Sequence, residues 1–82
     1  MTKVAVAGIG AWGKNLARTF YQLPNVELTY CCDPNTEFLQ QAEVLYPGTR
    51  PIPDFQVVLE DNQIDAVVIA APWMALAMVS LG

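Results

Sequence analysis

Three glycines within six residues, Gly8, Gly10 and Gly13, follow the apolar run Val4-Ala5-Val6-Ala7. The backbone there must leave a strand, turn sharply and enter a helix, with side chains forbidden at three points. Twenty residues beyond Gly13, Asp33 closes a second apolar run, Val26-Glu27-Leu28-Thr29-Tyr30-Cys31-Cys32. Strand, glycine turn, helix, and a second strand ending in an acid form one βαβ unit. Few other folds accommodate that order.

Each residue type has a mechanical job in such a unit. Gly8 permits the tight turn, Gly10 lets the backbone approach a diphosphate, and Gly13 lets the helix lie close to the strands. The unpaired N–H groups and partial positive charge at the helix start suit a diphosphate. Asp33 would accept hydrogen bonds from ribose hydroxyls and repel a 2′-phosphate, so the expected cofactor is NAD rather than NADP. The plainer alternative is a tight turn and a helix cap with no ligand.

A rival motif occupies the same residues. Gly8, four residues, then Gly13-Lys14-Asn15 falls one residue short of a phosphate-binding P-loop, because Asn15 stands where a magnesium-binding hydroxyl is needed. A later apolar strand ends in Ala70-Ala71-Pro72, where a nucleoside triphosphatase needs a metal-binding aspartate. Asp33 also has no task in that scheme. Lys14 then reads as a solvated helix residue.

Beyond the first unit, strand and helix alternate throughout. The expected elements are a strand over 3–7, a helix over 11–22 burying Gly13, Leu16, Ala17 and Phe20, and a strand over 26–32. A second helix is expected from Pro34, burying Phe38, Ala42, Leu45 and Tyr46 and stopped by Pro47-Gly48. A short strand is expected at Arg50-Pro51-Ile52, then a helix capped by Asp54 that buries Phe55, Val58 and Leu59. The last expected strand is Ala66–Ala70, apolar on both faces. This order implies an α/β, Rossmann-like half: a parallel sheet in order 3-2-1-4 with helices on both faces.

Composition bounds the rest. With 82 residues the chain makes one small domain, and 54% apolar against 15% charged residues leaves apolar surface in want of a partner. A net charge of −4 with four basic residues argues against nucleic-acid binding. Cys31 and Cys32 are strand neighbours facing opposite ways, and the chain has no histidine, so neither a disulfide nor a metal site is expected. The amino terminus has no signal-peptide pattern, and a reducing cytoplasm fits. The seventeen uncharged residues from Ala66 to Gly82 approach a membrane span in length, but Pro72 interrupts them and no basic residues flank them. In order 3-2-1-4 the strand Ala66–Ala70 falls at an open edge, so self-association is expected there. Lysines at Val68 and Met78 should then improve solubility.

The runs Val4–Asn15, Cys32-Asp33 and Ile64–Pro72 resemble the N-terminal domain of the glucose–fructose oxidoreductase, inositol dehydrogenase and MocA family. The variant Trp12-Gly13-Lys14-Asn15 is similar to members acting on nucleotide-linked sugars. The resemblance implies a cofactor bed of Gly8, Ile9, Gly10, Ala11, Trp12, Gly13, Asp33 and the turn Ala71-Pro72. It also implies hydride transfer between nicotinamide and a carbinol of a sugar or cyclitol. The resemblance spans residues 3–72, so residues 1–72 are assigned as the dinucleotide-binding part and 73–82 as an apolar tail. Members often carry a histidine four residues past the proline, where this chain has Leu76. They then continue into a Glu-Lys-Pro turn and a substrate domain. Either a truncated product or a frameshift past Pro72 is therefore expected, no residue is assigned as general acid or base, and catalysis stays open. Two other readings stand beside it: a non-catalytic NAD(H)-binding or interaction module, and a methyl-donor-binding domain of similar topology.

Overall fold

The computed structural model describes residues 1–8, 10 and 13–70, together with the backbone of 77–80. The elements are β1 (Thr2–Ala7), α1 (Gly13–Gln22), β2 (Val26–Cys32), α2 (Thr36–Leu45), β3 (Arg50–Ile52), α3 (Phe55–Glu60), β4 (Ala66–Ile69) and β5 (Ala77–Ser80). They form one sheet in the order β3-β2-β1-β4-β5. The four strands expected from the sequence are parallel and in the expected order. The fifth runs antiparallel to β4.

That fifth strand corrects the edge expectation. Ala66↔Ser80 and Ile69↔Ala77 pair along the whole of β4, so β4 is an interior strand and self-association through its edge loses its premise. The gain in solubility expected from a lysine at Val68 loses its premise too, for a different reason. Val68 is buried in the core, where an ammonium would lose its hydration.

Two apolar layers sandwich the sheet. On one face, Val4, Val6, Leu28, Cys31 and Val68 pack with Ala17 of α1 and with Leu39, Ala42 and Tyr46 of the α2 region. On the other, Ala5, Tyr30, Cys32 and Val67 pack with Val58 of α3 and with Ile64. Cys31 and Cys32 thus face opposite layers, and both are free thiols. Burial pushes the Cys31 thiol up to about 12, so it stays protonated.

Leu28 and Tyr30 are two residues apart yet lie on opposite faces. Between Val4 and Ala5 the register slips, so that Val4 pairs with Leu28 but Ala5 pairs with Tyr30. Thr29 is the extra residue of a bulge, and from there the alternation of β2 is inverted.

The helices depart from expectation in detail. Asn35, not Pro34, begins α2: its side-chain oxygen accepts from the N–H groups of Glu37 at 2.9 Å and Phe38 at 3.3 Å. A side-chain acceptor satisfies amides that a proline at the first position would leave bare. Burial on α2 centres on Leu39, Ala42 and Tyr46; Phe38 is half-buried, and Leu45 is exposed because the outer side of α2 meets solvent. Asp54 caps α3 as expected, accepting from Gln56 N–H at 2.9 Å. With only six residues, α3 buries Val58 and leaves Leu59 half-exposed. Pro51 is tolerated because β3 is an edge strand.

Among the described residues, no helix is long and apolar enough to cross a membrane.

Candidate dinucleotide site

The carboxyl ends of β1, β2 and β4 lie in one row, since Ala7 pairs with both Cys32 and Ile69. The residues just past that row are Gly8, Asp33 and Ala70. The chain crosses from β1 to β2 to β3 on one side and returns to place β4 on the other. The crevice between β1 and β4 is therefore the point where the winding reverses, and open α/β sheets bind ligands at such a point.

Gly8 has φ +87°, a conformation that L side chains rarely adopt. Its N–H donates to the Cys32 carbonyl at 2.7 Å, so the turn begins while the chain is still held to β2. Gly13 is the most restricted position. A Cβ there would lie 1.4 Å from the Gly8 carbonyl oxygen and 2.5 Å from its carbon. The start of α1 thus sits directly on the backbone leaving β1, and only a hydrogen fits between them. Lys14 N–H donates to the Gly10 carbonyl at 3.0 Å, a helical bond reaching back into the turn. The Lys14 side chain is exposed.

At Gly10 the neighbour is a side chain. A Cβ there would lie 3.3 Å from Cε2 of Phe38, on the first turn of α2. Sequence periodicity marks Phe38 only as a core residue of α2, and nothing local signals its place against the turn.

Asp33 is buried, with 7% of its surface exposed. Its N–H donates to the Ile52 carbonyl at 3.2 Å, continuing the ladder to β3, and its Oδ1 accepts from Asn35 N–H at 2.8 Å. Ala70 N–H donates to the Ala7 carbonyl at 2.8 Å, seating the end of β4 beside the turn. The local field is negative. The Cys32 thiol is pushed up to about 11 by burial first, then by the Asp33 and Asp54 carboxylates. The nearest strand cation, Arg50, pairs with Tyr30 in register, and its guanidinium lies 5.4 Å from the Tyr30 ring centroid.

Gly8, Gly10, Gly13 and Asp33 are therefore brought together at one end of the sheet. Ile9, Ala11, Trp12, Ala71 and Pro72 lie outside the described residues. Among the described residues, no group of three or more His, Cys, Asp or Glu side chains could hold a metal ion.

A family model described as an oxidoreductase family with an NAD-binding Rossmann fold matches residues 2–76. The chain is 29% identical over 73 residues to the redox-sensing transcriptional repressor Rex of Limosilactobacillus fermentum, covering 88% of this chain and 33% of that protein. The fold matches scyllo-inositol dehydrogenase from Lactobacillus casei, solved with bound NAD(H) and scyllo-inositol. There the TM-score is 0.77 and identity 24%, over 88% of this chain and 22% of that one. It also matches myo-inositol 2-dehydrogenase from Lactobacillus plantarum with a TM-score of 0.76 and 25% identity, over 87% of this chain and 21% of that one. The chain thus spans a third or less of the length of these proteins.

Proposed function

The chain belongs to the glucose–fructose oxidoreductase, inositol dehydrogenase and MocA family, whose NAD-binding Rossmann domain matches most of its length, and from that premise we propose how it grips its cofactor. The diphosphate lies on the turn Gly8–Gly13 and at the start of α1, and the adenosine ribose is held by Asp33. The family resemblance assigns Ala71 and Pro72 to the same bed. The observation that carries this reading is the close seat of Gly13 on the Gly8 carbonyl, in the same row as buried Asp33. That seat sets the start of α1, with its unpaired N–H groups, beside the carboxyl end of β1, where a diphosphate can reach them.

The residues fit NAD better than NADP. Asp33 and Asp54 make the ribose end negative, and Arg50 is engaged by Tyr30. A 2′-phosphate would meet repulsion without a partner cation. When bound, NAD supplies a hydride acceptor. The chain's own residues bind and orient it, and none of them is assigned as general acid or base. The parent activity is oxidation or reduction of a sugar, cyclitol or nucleotide sugar in the cytoplasm, where Cys31 and Cys32 remain thiols.

Calorimetric titration with NAD, NADH and NADP tests the assignment. NAD should bind at least about tenfold more tightly than NADP, a difference of roughly 1.4 kcal/mol. Equal or tighter NADP binding would mean that Asp33 does not hold the ribose. With NAD and a panel of sugars and cyclitols, the 82-residue chain should show no change in nicotinamide absorbance.

The similarity to a redox-sensing repressor supports a second reading, a module that senses NAD(H) without turnover. A sensor must distinguish the two redox forms by affinity, since a ligand equally bound in both states shifts nothing. A marked preference for NADH over NAD in the same titration favours this reading, and equal affinities favour the enzyme portion.

A further inference from the structure

We propose that Phe38 is a positioning residue of the dinucleotide site, setting how far the phosphate turn stands from the ribose-side acid. This rests on the reading above, in which Gly10 and Asp33 hold different parts of one dinucleotide. Phe38 is half-buried at the margin of the α1–α2 core. Its ring edge is what a side chain on Gly10 would meet, with Cε2 at 3.3 Å, Cζ at 3.7 Å and Cδ2 at 4.0 Å from a Cβ built there. Glycine has no such atom, so the ring fills the space on the side of residue 10 where a side chain would project, and stands between Gly10 and the start of α2.

The backbone of Phe38 is tied in the other direction. Its N–H donates to Asn35 Oδ1 at 3.3 Å, and Asn35 N–H donates to Asp33 Oδ1 at 2.8 Å. Gly10, Phe38, Asn35 and Asp33 thus form a continuous path from turn to acid that needs no ligand. A dinucleotide bound at both ends requires a fixed spacing, and spacing fixed beforehand lowers the ordering cost of binding. A flat ring, held by packing and with only two side-chain torsions, is a stiff spacer for that purpose.

The test is a double-mutant cycle on the full chain, read by NMR titration with NAD and with adenosine. Gly10→Ala should weaken NAD binding about tenfold in the parent but less than about twofold alongside Phe38→Leu, a coupling typical of residues in contact. Adenosine, which lacks the diphosphate, should bind Phe38→Leu as tightly as the parent. Without ligand, the Gly10 Hα resonances should show a ring-current shift that Phe38→Leu removes. Equal costs of Gly10→Ala in both backgrounds would overturn the proposal while leaving the site reading intact. Loss of adenosine affinity in Phe38→Leu would overturn it too, by making the ring a direct contact with the base. A parent chain that shows the ring-current shift yet binds no NAD would instead sink the site reading, and the positioning role with it.

Discussion

The two layers on either side of the sheet are built on different principles. The α1–α2 layer is thick and apolar. Its helices touch each other through the Tyr21 and Tyr46 rings, 5.2 Å between centroids, and through Tyr46 Oη donating to the Lys14 carbonyl at 3.2 Å. The α3 layer is one short helix with a single buried residue, Val58. It is tied to the sheet by a polar link, Tyr30 Oη donating to Asp61 Oδ2 at 2.5 Å. The glycine turn and Phe38 both belong to the thick layer. Close packing, which has few alternative arrangements, therefore surrounds Gly13 and Phe38, whereas the α3 face adds to its apolar packing around Val58 a bond that protons can break.

The sharpest break of this contrast is Gly13→Ala. The new methyl would overlap the Gly8 carbonyl, so α1 must lift off β1 and the thick layer must open. We expect a loss of about 3 kcal/mol or more, enough to unfold a domain this small. Urea denaturation followed by circular dichroism reads this, and a transition within about 1 kcal/mol of the parent would show that the turn can relax.

Val68→Lys comes next. It places an ammonium among Val6, Cys31 and Ala17 and should cost roughly 3 kcal/mol. Light scattering should find more aggregate rather than less. A stable and more soluble variant would mean that β5 does not hold β4 in the sheet.

Tyr30→Phe should act on the thin layer alone. The bond from Tyr30 holds the Asp61 carboxyl below the usual carboxylate range. Its folded pKa lies below its unfolded one, so its stabilisation is present above the unfolded value and is lost as pH falls through the folded value. The same bond, with burial, raises the Tyr30 phenol, so that contribution is present below the ordinary tyrosine range and is lost at higher pH. Melting temperature should therefore fall on the acid side below about pH 4, near the ordinary carboxylate pKa. Tyr30→Phe should flatten that limb and leave NAD affinity unchanged. An unchanged acid limb would show that Asp61 stabilises nothing.

The smallest effect is expected at Leu45→Gln. Leu45 is 59% exposed on the outer side of α2, so the change should stay within about 0.5 kcal/mol by the same denaturation assay. A larger loss would mean that this face is covered in solution.

Much of the candidate site is legible in the sequence. Strand β1, the glycine turn, β2 and the terminal acid follow from apolar runs and residue types that carry their own steric meaning. Pro34 misled because a proline can begin a helix, while Asn35 beside it offers an acceptor to two amides. Leu45 and Leu59 misled because periodicity marks an apolar stripe without saying how wide a neighbour covers it. Phe38 is visible as a core residue, but its place beside Gly10 joins residues 28 positions apart.

By itself, the sequence determined the order of the elements from β1 to β4, the glycine positions of the turn and the acid that ends β2. Those depend on torsional sterics and on periodicities within a few residues. Tertiary structure decided which face each residue of β2 occupies, because the Thr29 bulge exists only as a mismatch against β1. It also decided that Ala77–Ser80 pairs with β4 and that Phe38 stands behind Gly10. Strand register and side-chain contact are properties of two segments together, and no local pattern in either one records them.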